Sequence, residues 1–111
     1  MRELDDKLFI LTGAAGGIGR AAAQRLREAG ARLALVDRDA AGLEALRARL
    51  PATRPTTTHV FDLRARAGLP DLIAAISRAH GPIHGLIHNA GLTVHRSFAS
   101  MSLDELDLVL D

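Results

Sequence analysis

Cysteine, tryptophan and tyrosine are absent from this sequence, and lysine occurs once, at Lys7. Without cysteine there is no disulfide framework, no thiolate nucleophile and no cysteine-based metal site, which fits a reducing compartment. Three phenylalanines are the whole aromatic content, and the net charge is only +1. Stacking platforms and basic blocks for nucleic acid are therefore missing, and no nucleic-acid partner is expected. No apolar run approaches the roughly 18 residues of a membrane span, and the charged start Met1–Lys7 does not read as a secretory signal. A soluble protein without a membrane partner is expected, with the cytoplasm as its compartment.

What is present is ordinary globular material: 48% hydrophobic and 24% charged residues over 111 positions, enough for one core. Apolar runs of strand length alternate with stretches of helical period, the pattern of βαβ units around a parallel sheet. The first strand is expected over Leu8–Thr12, uninterrupted and apolar as befits a strand covered on both faces. A helix follows from Ile18 to Ala29, with Ile18, Ala22 and Leu26 on one apolar face and Arg20, Gln24, Arg27 and Glu28 largely elsewhere, closed by Gly30. Arg32–Asp37 reads as a second strand. Asp39 caps a helix carrying Leu43, Leu46 and Leu50, and Thr56–Phe61 reads as a third strand. Pro70 suits the first turn of a helix that stops at Gly81–Pro82, and a fourth strand runs from about Ile83 to His88. A loop of roughly ten residues then leads to Ser102, where Ser102 and Glu105 have capping-box spacing. The apolar period of this last helix stops at Asp111 in mid-pattern, so residues 1–111 read as the N-terminal part of one domain, with the fourth strand at an open edge.

The chemistry concentrates between the first strand and the first helix, in Gly13-Ala14-Ala15-Gly16-Gly17-Ile18-Gly19. Glycines there allow a sharp turn and a close backbone approach, and the helix start offers N–H groups and a positive dipole end to an anion. Asp37 follows Gly19 by 18 residues at the end of the next strand. That is near the roughly 20 residues expected for a carboxylate that binds the ribose of a dinucleotide.

Thr12-Gly13-Ala14-Ala15-Gly16-Gly17-Ile18-Gly19 resembles the TGxxxGxG motif of the short-chain dehydrogenase/reductase family. Asp37, Asp62-Leu63 and Asn89-Ala90-Gly91 resemble its later stations in order, the last with His88 in place of the first Asn of NNAG. The resemblance implies an α/β, Rossmann-like, doubly wound parallel sheet, of which the chain carries the first half with strand order 3-2-1-4. It implies that Gly13, Gly17 and Gly19 shape a pyrophosphate turn with the Ile18 backbone beside them, and that Asp62 and Leu63 meet adenine. Thr12 and Asn89 would tie the turn to the fourth strand, with Ala90 and Gly91 along the cofactor's path toward nicotinamide.

A carboxylate at Asp37 accepts from both ribose hydroxyls and repels a 2′-phosphate, which favours NAD over NADP. Gly16 stands where NADP-preferring members often carry a basic residue. Arg38 pulls the other way, since it can reach a 2′-phosphate or stack on adenine.

Family catalysis uses a Tyr and a Lys four residues later, and neither is available here. No catalytic residue is therefore assigned, and the chain alone is expected to be inactive. The parent would be an oxidoreductase of a small alcohol or carbonyl substrate, and family members often assemble as homo-oligomers. A noncatalytic nucleotide-binding or subunit-interaction module is the alternative. The five histidines show no metal-ligand spacing and no metal is expected; Ser97 and Ser100 have no base near them in sequence, so no acyl-transfer triad is supported.

Overall fold

A computed structural model describes residues 4–88 and the backbone of 92–94. Among the described residues, five strands and three α-helices follow one another: β1 (Leu8–Thr12), α1 (Gly17–Glu28), β2 (Arg32–Asp37), α2 (Ala40–Arg49), β3 (Thr56–Val60), α3 (Leu69–His80), β4 (Gly85–His88) and β5 (Leu92–Val94). The sheet order is β3-β2-β1-β4-β5, so the expected order 3-2-1-4 stands, with parallel pairing throughout those four strands.

Strand periodicity divides the core into two layers. Phe9, Leu11, Leu33 and Leu35 point to one face, where Ala23 and Leu26 of α1 and Leu43 and Leu46 of α2 cover them. Leu8, Ile10, Ala34 and Val36 point to the other, against Ile76 of α3, Ile83 and Leu86. Every residue of β1 is buried, as its unbroken apolar run requires. Phe9 lies across β4 at Gly85, its register partner, where a Cβ would collide with the ring.

Local signals explain the element ends. Gly30 and Gly81 take positive φ (92° and 86°) after α1 and α3, a conformation glycine adopts at no steric cost. Asp39 caps α2 by accepting the Gly42 N–H at 3.0 Å, and a proline sits in the first turn of α3.

Three expectations are corrected. Ile18 is not on the inner face of α1 but 76% exposed; Gly19, Ala23 and Leu26 face the sheet instead, because Gly19 is pressed against the preceding turn and fixes the rotation of the helix. Arg27, expected away from the apolar face, is itself buried, 2% exposed. Its guanidinium donates to the carbonyls of Pro51 at 2.7 Å, Arg54 at 2.6 Å and Pro55 at 3.2 Å, and to the Thr56 hydroxyl. Burial, then the nearby charge of Arg54, lowers its pKa. The expected loop after Gly91 contains β5, which pairs antiparallel with β4 and covers the edge expected to be open; an unpaired edge offers a ready template for a three-residue strand. The helix expected from Ser102 lies outside the described residues.

Candidate cofactor-binding site

The turn after β1 sits at the carboxyl end of the sheet, beside the ends of β2 and β3. Gly13 has φ 64°, a left-handed conformation that favours glycine. The next residue, Ala14, is buried and donates its N–H to the Val36 carbonyl at 3.2 Å, which fastens the turn to β2. Gly16 donates back to the Gly13 carbonyl at 3.2 Å and opens α1 as its N-cap.

Gly17 and Gly19 are glycine for different reasons. A Cβ at Gly19 would collide with the Gly13 carbonyl oxygen and lie 2.8 Å from Ala14 Cα, so the helix can start against the turn only without a side chain there. A Cβ at Gly17 would meet nothing within 4 Å. Neither packing nor backbone conformation therefore requires glycine at 17; the space beside it is open at a helix start. That start has no side-chain cap, and its first turn has no acidic residue. Uncapped N–H groups beside open space at a helix start are an arrangement suited to an anion.

Asp37 closes the side of this space. Its Oδ2 accepts the Ala15 N–H at 3.0 Å and its Oδ1 accepts the Asp39 N–H at 2.9 Å. One carboxylate thus joins the glycine turn to the entry of α2, where a Cβ on Gly42 would lie 2.7 Å from the Ala15 Cβ. A cleft of about 250 Å³ opens from here, lined by Gly13, by Asp37 and Arg38 at the end of β2, and by Phe61, Asp62, Leu63 and Arg64 after β3. Asp62 is held by Arg64 in an ion pair of 2.8 Å. The Arg64 side-chain bonds, then its backbone N–H, bring the Asp62 carboxyl down to about 2.

Behind the turn, Thr12 is buried and its hydroxyl lies 2.6 Å from His88 Nδ1 on the neighbouring strand. The tie between the turn and β4 thus runs to the residue that departs from NNAG, and imidazole can serve because it both donates and accepts. Among the expected site residues, Thr12, Gly13, Gly17, Ile18 and Gly19 gather at the turn, and Asp37, Arg38, Asp62 and Leu63 at the cleft. Asn89, Ala90 and Gly91 lie outside the described residues. The sequence reading missed the Ala15 N–H and Arg64. For Arg64 the signal was available, since an Asp followed two residues later by a donor makes a local turn; for Ala15 there was none.

The sequence matches the short chain dehydrogenase family over residues 7–111. Levodione reductase of Leifsonia aquatica is 38% identical over 90 residues, covering 78% of this chain and 34% of that protein. An NAD+-bound xylitol dehydrogenase superposes with TM-score 0.72 at 29% identity, covering 76% of this chain and 33% of that one. An NADP complex of Pseudomonas aeruginosa RhlG superposes with TM-score 0.70 at 32% identity, covering 79% and 36%. The chain spans about a third of the length of each of these proteins. With a parallel sheet in the order 3-2-1-4, a glycine turn at its carboxyl end and a match over nearly all its length, the chain belongs to the short-chain dehydrogenase family.

Proposed function

We propose that residues 12–19, 37–38 and 62–63 bind the adenosine and pyrophosphate of a nicotinamide dinucleotide, NAD in preference to NADP. The observation that carries this reading is Asp37: its carboxylate is fastened by the Ala15 N–H of the glycine turn and borders the same cleft as Asp62. A carboxylate so held is pre-oriented toward ribose hydroxyls, and its charge opposes a 2′-phosphate. Arg38, which lines the same cleft, moderates that preference.

In the whole protein the bound cofactor supplies hydride transfer between nicotinamide and the carbon of an alcohol or carbonyl. The chain's own residues at the glycine turn and the cleft hold the adenosine half. Having no tyrosine and one lysine, this chain provides no YxxxK pair, so proton transfer is assigned to residues outside it. The same lack favours the second reading, a noncatalytic nucleotide-binding or subunit-interaction module. A reading frame that continues past codon 111 through a YxxxK supports the oxidoreductase, and a stop there supports the module.

Calorimetric titration tests the binding reading. The chain should bind NAD and ADP-ribose without turnover, and Asp37→Ala should weaken NAD more than NADP. Equal losses remove Asp37 from cofactor selection, and unchanged heats and melting temperature at saturating NAD refute the site.

A further inference from the structure

Away from the cofactor cleft, a polar cluster lies between the sheet and α3. Thr57 and His59 of β3 stand in register with Ala34 and Val36 and so point to the face that α3 covers. A second imidazole reaches in from His80, the last residue of α3, which is 8% exposed. The Thr57 hydroxyl lies 2.8 Å from Nε2 of each ring. Among the described residues, its bond to His80 is the only side-chain hydrogen bond between β3 and α3.

A hydroxyl carries one proton and two lone pairs. The two rings are the only partners of the Thr57 hydroxyl among the described residues, so it donates to one and accepts from the other. His80 Nδ1 decides the direction, because it is buried without a partner. A proton there would be a buried N–H with no acceptor, and such donors are rarer than under-used acceptors. His80 therefore holds its proton on Nε2 and donates to Thr57 Oγ1, which donates to His59 Nε2. His59 then holds its own proton on Nδ1, and that ring is only half-buried.

Acid cannot enter this chain without breaking it. A proton added at His59 Nε2 faces the hydroxyl proton, which then has no acceptor left in the chain. Turning the His80 tautomer to receive it puts the orphan N–H on the buried Nδ1 instead. Among the described residues no carboxylate pairs with either ring, and Glu44 meets β3 at Thr58, on the opposite face. The charged groups facing His80 are Arg32 of β2, whose guanidinium donates to the His80 carbonyl, and His59 of β3 once protonated.

Residues 61–68 join β3 to α3 and include Phe61 to Arg64 of the cleft. The Phe61 ring lies against Gly68, where an added Cβ would be 2.9 Å from it. A shift of α3 away from β3 thus reaches the cleft through a short, packed segment.

We propose that the His80–Thr57–His59 chain is an acid-sensitive latch on the cofactor cleft: neutral, it holds α3 against β3; protonated at His59, it releases them and weakens dinucleotide binding. The proposal rests on the dinucleotide reading above and adds how pH sets its affinity.

The test titrates NAD into the 111-residue chain, well below its melting temperature, as the unaltered protein, as Thr57→Val, and as His59→Gln with His80→Gln. Burial lowers both histidine pKa values, with Arg32 and then His59 adding at His80. The latch is therefore closed above about pH 6.5 and opens as pH falls through the folded values. Between about pH 7.5 and about pH 5 the unaltered chain should lose about two- to tenfold in NAD affinity, the scale of one net hydrogen bond. Thr57→Val, without the hydroxyl, should bind at the higher pH as weakly as the unaltered chain does at the lower. The double glutamine variant donates and accepts but does not titrate, and should keep its affinity in acid.

Imidazole nitrogen NMR at the higher pH gives a readout without ligand: His80 should be the Nε2–H tautomer and His59 the Nδ1–H tautomer. The opposite tautomers overturn the proposal. An equally steep loss of affinity in the double variant also overturns it, because the titrating group then lies elsewhere, as at His88 behind the turn. Failure to bind NAD at the higher pH overturns the cofactor reading together with this one; binding that is equal at both pH values overturns only the latch.

Discussion

The two ends of the parallel sheet treat their polar groups in opposite ways. At the amino end, most polar groups are tied to one another: Arg27 reaches four oxygens from Pro51 to the first residue of β3, although Arg27 Nε, Arg54 Nε and His80 Nδ1 are buried there without a hydrogen-bond partner. Close by, Arg32 donates to the Asp6 carbonyl at 2.9 Å and to the His80 carbonyl, and Arg54 pairs with Asp5 at 2.5 Å. At the carboxyl end, α1 starts without a side-chain cap and with open space at Gly17. Even there the contrast is local, since α2 is capped by Asp39 while α3, like α1, has no side-chain cap. What sets the α1 start apart is that it follows the glycine turn, has no acidic residue in its first turn and has open space at Gly17. Helix-start N–H groups left without a side-chain cap are the groups an anion can use.

If this contrast is sound, damage at the two ends should differ in kind. Arg27→Met removes four hydrogen bonds from the amino end and leaves the carbonyls of Pro51 and Arg54 to find other partners, while the Pro55 carbonyl keeps the Leu33 N–H. It should lower stability by about 2–4 kcal/mol in urea melts, with NAD affinity of the folded fraction unchanged. Loss of affinity without loss of stability would place Arg27 on the wrong side of the comparison. Gly19→Ala should cost about 1–3 kcal/mol through overpacking against Gly13 and Ala14, and here NAD binding should fall with it because the turn itself is displaced.

The smallest effect concerns acid. His59 and His80 each lie 2.8 Å, through Nε2, from the Thr57 hydroxyl. Burial lowers both pKa values, and Arg32 and then His59 add to the shift at His80. With folded values below the ordinary 6.5, their contribution to stability is complete above about pH 6.5 and is lost as pH falls through the folded values. Melting temperature should drop between pH 7 and 5, and His59→Gln with His80→Gln should flatten that slope; an equally steep slope in the double variant contradicts the assignment.

Much of the frame was legible from local signals. The unbroken apolar runs Leu8–Thr12 and Leu33–Val36 marked the buried central strands, Asp39 marked a cap, and Gly13 and Gly30 take the positive φ their positions called for. What escaped depends on partners distant in sequence. Arg27 is buried because carbonyls 24 to 28 residues later come to it, and no period in α1 encodes that. Ile18 shared a four-residue spacing with Ala22 and Leu26, yet contact between Gly19 and the turn sets the helix rotation and carries Ile18 outward. The three residues of β5 are too few to carry a strand pattern, and their pairing is decided by the edge of β4. His59 and His80 meet only through Thr57, across β3 and α3.

Gly17→Ala puts the contrast to its most direct test, because the added methyl enters space that the protein itself leaves empty. Thermal melting and NAD titration of this variant should diverge: stability unchanged or raised by up to about 1 kcal/mol from the reduced freedom of the unfolded chain, with NAD affinity reduced about tenfold or more by the methyl beside the pyrophosphate. Unaltered NAD affinity with unaltered stability would contradict the assignment of that open space to a ligand.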